Sequence, residues 1–370
     1  MRPLKILLWS PKGCGNHYYG PGKNAFNLYS EIKKNEELEL VLVHAYPNHE
    51  KLSLFDEVYR IGNFEDLKLI PFVKYLFKSF EILWKYRKQG FVFHGLDVYS
   101  NIYIPALIAK LLGYRVALKV AAHPSGFNAS KNKLILFSRR ISIHLIDKFF
   151  AISHEIVDEL KGLKVKGDKI ECVYNGVEIP QNREDILKGH SGDTKTILFT
   201  GSIVRRKRPH LLIKAIAKSK NPKAWIMNLV GPITDKAYFS EMEAMVEAYG
   251  LSEQINFHGF KRDLNEFYLQ ADLYALPSLS EGMPNGVLEA MSFSLPILIS
   301  NFSSASILCN MENGFIADNV EGYSNCLDLF IENTPLFEAK GSKSFDLVKR
   351  DFSLSKVSEK YTKILNELSH

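Results

Sequence analysis

At 370 residues, the chain is long enough for two domains of ordinary size, each burying its own core. Its 46% hydrophobic and 24% charged residues set disorder aside, and four scattered cysteines, Cys14, Cys172, Cys309 and Cys326, with no C-x-x-C spacing, argue against a disulfide frame or a zinc site and for a reducing compartment. The net charge of +6 gathers in the first half, where residues 1–180 carry 26 Lys and Arg against 18 Asp and Glu, leaving 21 against 23 for the remainder.

Short apolar strands are predicted at Lys5–Trp9, Glu39–His44, Phe91–Phe93, Arg115–Ala121, Lys148–Ile152 and Ile170–Tyr174, with helices such as Ala25–Lys34 and Ile104–Leu112 between them. This alternation indicates a parallel sheet covered on both faces, whose ligands sit beyond the carboxyl ends of the strands. The residues that follow strand ends are therefore the first candidates: the loop Pro11–Gly22, PKGCGNHYYGPG, then His94 and Asp97, then His123. That loop matches neither the G-x-G-x-x-G nor the P-loop spacing.

The apolar run Ile6–Trp9 is too short for a signal-peptide core, and Ile102–Ala122 is interrupted by Lys110, Arg115 and Lys119, which excludes a membrane-spanning helix there. The expected location is cytoplasmic, with peripheral attachment to a membrane surface as an option. Much of the basic excess lies in Pro71–Lys88, PFVKYLFKSFEILWKYRK, where Phe72, Leu76, Phe80, Leu83 and Trp84 recur at helical spacing among Lys74, Lys78, Lys85, Arg87 and Lys88. Such a stripe suits an anionic membrane or a lipid-linked acceptor. It equally suits an ordinary helix laid on its domain, the reading preferred because most such stripes are core. No nucleic-acid motif accompanies the charge.

Asn175-Gly176 marks a turn that closes the first domain, predicted as residues 1–178, and the polar stretch 179–195 reads as a linker. The second domain, predicted as 196–350, opens with the strand Thr196–Thr200, then Gly201, then Arg205-Arg206-Lys207-Arg208 and a helix from Leu211. Further strands are predicted at Met227–Gly231, Ile255–Gly259, Ala271–Leu276 and Leu295–Ser300; a last amphipathic helix falls in 351–370.

The second domain is organised around Pro277–Leu298, PSLSEGMPNGVLEAMSFSLPIL. Gly282, Pro284 and Gly286 allow a tight turn into a helix whose first amides, at Asn285, Gly286 and Val287, suit an anion such as phosphate. Glu281 and Glu289 bracket the turn; a carboxylate one helical turn in is better placed to accept ligand hydroxyls than to face the anion.

SEGMPNGVLEAMSFSLPIL resembles the E-x7-E region of the retaining family-4 glycosyltransferases of GT-B architecture, which use nucleotide-diphosphate sugars. The resemblance implies an α/β GT-B fold of two Rossmann-like doubly wound domains facing across a cleft, with the last helix returning to the first domain. It assigns catalytic roles to Glu281, Arg206, Lys207 and His123, with Arg205 the second choice for the arginine because Ser202 stands at the usual position. It assigns donor binding to Gly20 and Gly22, in a loop closing over the donor, to Gly201, to Gly259 and Phe260 beneath the base, to Gly282, Met283, Pro284, Asn285, Gly286 and Val287, and to Glu289 at the ribose.

The implied reaction moves a hexose from a UDP- or GDP-sugar to a hydroxyl of a glycan or lipid-linked acceptor, with retention, by front-face attack. The resemblance implies no metal and no cofactor, the nucleotide-diphosphate sugar being a co-substrate. A GT-B sugar-nucleotide epimerase, or a non-catalytic nucleotide-sugar-binding protein, is the alternative.

Overall fold

The computed structural model describes residues 3–11, 13–14, 20–45, 53–61, 69–96, 102–121, 133–180 and 194–369. The chain divides into two compact units, one formed by residues 1–176 with 354–370, the other by 177–353.

The first unit carries a parallel sheet of seven strands: β1 (Leu4–Trp9), β2 (Leu38–His44), β3 (Glu57–Arg60), β4 (Val92–Leu96), β5 (Val116–Val120), β6 (Lys148–Ala151) and β7 (Ile170–Cys172), in the order 3-2-1-4-5-6-7. Its helices are α1 (Gly20–Asn35), α2 (Leu69–Tyr86), α3 (Tyr103–Leu111), α4 (Lys133–Leu145) and α5 (His154–Gly162), completed by the C-terminal helix α13 (Leu354–Ser369). Near-continuous apolar strands such as LKILLW and LELVLVH are what a sheet buried on both faces requires. On one face α13 packs against α1, β1 and β4, and Tyr361 stacks on Phe150 at 4.0 Å between ring centroids. On α2 the buried residues are Tyr75, Ser79, Ile82, Leu83 and Tyr86, so Leu83 of the predicted stripe faces the core while Phe80 and Trp84 stay exposed.

The second unit repeats the plan. Its strands are β8 (Lys195–Thr200), β9 (Trp225–Val230), β10 (Ile255–Gly259), β11 (Leu273–Leu276), β12 (Ile297–Ile299) and β13 (Gly314–Ile316), all parallel in the order 10-9-8-11-12-13. The helices between and after them are α6 (His210–Lys218), α7 (Lys236–Ala248), α8 (Asn265–Leu269), α9 (Asn285–Ser292), α10 (Ala305–Leu308), α11 (Val320–Glu332) and α12 (Thr334–Asp351). Two boundaries differ from those expected. The Val177 amide donates to the Phe352 carbonyl at 3.0 Å and Val177 bridges to Ser353, which draws residues 177 and 351–353 into the second unit. Most of the predicted linker, residues 181–193, lies outside the described residues.

Candidate functional site

In the second sheet the strand order reverses between β8 and β11, and the crevice beyond their carboxyl ends is where open α/β sheets hold ligands. After β8 the chain passes Gly201, makes a one-turn 3-10 helix at Arg205–Lys207, and turns at Arg208 with φ +48°. After β11 it runs from Pro277 to Pro284 and enters α9. The Leu279 amide donates to the Arg206 carbonyl at 2.8 Å, and Arg208 Nε donates to the Pro277 carbonyl at 2.8 Å. The two loops are thus one laced structure, and Arg208 belongs to the lacing.

Glu281 is the focus of the charges. Its Oε1 accepts from Ser278 Oγ at 2.8 Å and from Arg206 Nη1 at 3.1 Å, and Lys207 Nζ stands at 3.3 Å. Burial pushes this carboxyl up, but Lys207 and Arg206, helped by the Ser278 hydroxyl, outweigh it and hold the group below its ordinary range. Arg206 also donates to the Ser280 carbonyl and keeps about half its side chain in solvent, at 49% exposure against 16% for Lys207. Arg205 turns away, pairing with Glu241 and lying over the Tyr238 ring. Of the two candidate arginines, the structure brings Arg206 to Lys207 and Glu281 and takes Arg205 to α7.

Glu289 lies on α9, one turn in from Asn285. The Tyr268 hydroxyl donates to its Oε2 at 2.8 Å, and the Thr200 hydroxyl stands 3.2 Å from Tyr268 Oη and 3.1 Å from Tyr274 Oη. A Cβ built on Gly286 would fall 2.3 Å from Tyr274 Oη and 2.4 Å from Thr200 Oγ1, so only glycine lets the start of α9 settle on this hydroxyl cluster. Since Thr200 ends β8 and Gly201 follows it, Glu289 and Lys207 are tied to the same strand end. Sequence reading missed Ser278, Tyr268 and Thr200 as supports of the two glutamates; each follows or faces a strand end, but hydroxyls there carry no motif.

At the head of α9, Pro284 caps the helix in extended conformation and is buried, as is Met283. One expectation is corrected. The Val287 amide donates to the Pro284 carbonyl at 3.2 Å, because the first turn tightens to i→i−3 geometry, so Val287 does not offer its N–H to a ligand. The Gly286 amide has no acceptor among the described residues. Gly282 stands half-buried in the turn ahead of it.

The neighbouring strand ends form a glycine shelf. The Gly231 amide donates to the Gly259 carbonyl at 2.8 Å, and a Cβ on Gly231, at φ +157°, would lie 2.0 Å from the Gly201 carbonyl oxygen. Lys207 runs along Gly201, its Nζ 2.7 Å from where a Cβ there would stand. Phe260 follows Gly259 half-buried, beside His258, whose Nε2 lies 2.9 Å from Asn228 Oδ1.

In the first unit, Gly20 and Gly22 sit in the first turn of α1 rather than in a loop, and Cys14 Sγ donates to the Gly22 carbonyl at 3.4 Å. His94 does not follow a strand but lies inside β4. Wholly buried, it contacts Tyr29 Oη through Nδ1 at 2.6 Å and Tyr361 Oη through Nε2 at 3.2 Å, a core role. His123 and Asp97 lie outside the described residues.

Two doubly wound parallel units, the second with a cation-and-glutamate site at its strand-order reversal, give the chain a GT-B fold. Residues 181–343 match the family model of the glycosyl transferases group 1. The chain is 28% identical over 247 residues to an uncharacterized glycosyltransferase of Haemophilus influenzae, covering 65% of this chain and 67% of that one. It is 26% identical over 292 residues to an Escherichia coli UDP-Gal:alpha-D-GlcNAc-diphosphoundecaprenol alpha-1,3-galactosyltransferase, covering 71% of each. Three further curated relatives are matched over 50% of their own length. Among solved structures, Anabaena HepE in complex with UDP superposes with a TM-score of 0.80 at 16% identity, over 98% of this chain and 100% of that one.

Proposed function

We propose that the protein transfers a hexose from a UDP- or GDP-sugar to a hydroxyl of a glycan or lipid-linked acceptor, with retention of anomeric configuration and without a metal. The observation that carries this reading is the convergence of Arg206 and Lys207 on Glu281 beside the head of α9. The family match, the nucleotide bound to HepE and the lipid-linked substrate named for the E. coli relative support it.

In this reading the diphosphate of the donor lies against Arg206, Lys207 and the Gly286 amide, where positive charge and fixed dipoles stabilise the negative charge that develops on the leaving group. The bond from the anomeric carbon to the phosphate oxygen breaks as the acceptor hydroxyl forms the new glycosidic bond on the same face. Its proton passes to the departing phosphate. Glu289, held by Tyr268, accepts from the ribose hydroxyls, and Glu281 orients the cations and the sugar. His123 contributes to catalysis and Gly20 and Gly22 to donor binding in this reading. The enzyme works in the cytoplasm, attached peripherally to a membrane through residues 71–88.

Incubation of the protein with UDP- and GDP-hexoses and N-acetylglucosaminyl-diphospho-undecaprenol, followed by mass spectrometry and NMR of the product, tests the proposal. It expects a hexosylated acceptor with the donor's anomeric configuration. A changed sugar released from donor alone would identify an epimerase, and binding without turnover on any acceptor a non-catalytic binder.

A further inference from the structure

The first unit leaves large apolar side chains exposed in one region. Among the described residues, every such side chain of this unit sits on α2, α3 or α4. On α2 the exposed set is Val73, Phe77, Phe80 and Trp84, spaced i, i+4, i+7 and i+11, a straight stripe on the side opposite the buried Tyr75, Ser79, Ile82, Leu83 and Tyr86. Phe77 is 71% exposed and Trp84 47%. α4 shows a second stripe, Phe137, Ile141 and Leu145, spaced i, i+4 and i+8. Leu111, at the end of α3, is 78% exposed, and α3 packs against both α2 and α4, so the stripes belong to one layer of three helices.

The charge on this layer is one-sided. Glu81 is the only acidic residue on the three helices. Lys74, Lys78 and Lys88 are exposed on or just after α2, and Arg140 is exposed on α4. Arg87 stacks on the Trp84 ring at 3.4 Å, and Trp84 stacks on Phe80 at 5.5 Å between centroids. Stacked aromatics fringed with guanidinium and ammonium groups match the boundary between acyl chains and anionic headgroups, where aromatic rings with a polar edge settle and each cation gains from the surface potential. A second copy of the chain fits less well, because two such faces would set like charges against each other.

We infer that α2, α3 and α4 together form a membrane-docking face that rests on an anionic lipid surface, with α4 a contact in its own right. The inference builds on the membrane contact proposed for residues 71–88 and enlarges it from one helix to a plane. It does not depend on the transferase chemistry.

Co-sedimentation of the full chain with vesicles, either phosphatidylcholine alone or mixed with an equal share of phosphatidylglycerol, tests it. The wild type is expected to sediment with the anionic vesicles and not the neutral ones, and high salt should weaken the association because screening shortens the reach of the surface potential. The pairs Phe77→Ser with Trp84→Ser, and Phe137→Ser with Ile141→Ser, should each lower the bound fraction about threefold or more, since each removes exposed apolar area available for burial in the interface. Melting temperatures of both variants should stay at the wild-type value, as the substituted side chains lie outside the core. Absence of binding to anionic vesicles, or full binding by the α4 pair, would overturn the inference. So would a vesicle-free dimer in light scattering that either pair dissociates. Vesicle binding by a protein that transfers no sugar would instead sink the proposed function and leave the docking face standing.

Discussion

Lys207 Nζ stands 3.3 Å from the Glu281 carboxylate while the lysine side chain lies along Gly201, so a single cation joins the loop after β8 to the loop after β11. In the proposed reaction an arriving diphosphate would meet a cation already held in place, which would limit the reorganisation needed at the moment of reaction.

Lys207→Ala and Arg206→Ala should each lower sugar-transfer kcat/KM by about 10²-fold or more, the usual cost of losing one preorganised group at a developing negative charge. Arg205→Ala should stay within about twofold of wild type, because an exposed ion pair such as the one it makes with Glu241 contributes little. Steady-state kinetics on the three variants checks the choice of arginine.

Glu281→Gln should alter how stability depends on acid. The folded carboxyl titrates below its ordinary range, so its contribution is fully present above the unfolded value of about 4.3 and is lost as pH falls through the folded one. Denaturant midpoints measured from neutral pH downward should fall less steeply for the variant. A parallel pair of curves would show that Lys207 and Arg206 do not hold this group ionised.

Tyr268→Phe removes the hydroxyl that donates to Glu289 Oε2. The donor KM should rise several-fold with a smaller change in kcat, since the ribose contact proposed for Glu289 would be made in ground and transition states alike. Gly286→Ala should destabilise the fold by about 1–3 kcal/mol, as a methyl group cannot sit 2.3 Å from Tyr274 Oη without moving α9. Steady-state kinetics on Tyr268→Phe and thermal unfolding of Gly286→Ala check the two effects.

His94 supplies a second acid-sensitive element, in the first unit. Burial, with help from Lys119, lowers its pKa to about 3. Between the unfolded value of about 6.5 and that lower limit the unfolded chain binds a proton the folded one does not, so stability falls as pH drops, by about 1.4 kcal/mol per unit. His94→Phe should flatten this slope between pH 6 and 4, while losing some stability at pH 7 through its unpaired partners Tyr29 and Tyr361.

The second unit was the more legible in the sequence. Its strands are short, apolar and separated by glycine-bearing turns, and Pro277–Leu298 announces a strand end, a turn and a helix by residue type alone. Three kinds of information were not legible. The first is direction: nothing in Arg205-Arg206-Lys207-Arg208 shows that the 3-10 turn would send Arg205 to Glu241 and Arg208 to the Pro277 carbonyl. The second is hydroxyl support, since Ser278 and Tyr268 acquire meaning only when folding brings them to Glu281 and Glu289. The third is extent, as for β4, which runs to Leu96 and so turns His94 from a strand-end candidate into a core residue. On α2 the periodicity was visible but its phase was not, because apolar residues occupy both faces and only packing separates Leu83 from Trp84.

The central claim is that the crevice at the end of β8 and β11 holds the diphosphate of a sugar donor. Calorimetric titration of UDP and of GDP into the wild type and into Lys207→Ala measures it most directly. One of the nucleotides should bind the wild type and bind the variant at least about tenfold more weakly, the loss expected for removing a charge-assisted contact. Equal affinity in both proteins, or binding of neither nucleotide to the wild type, would contradict the account.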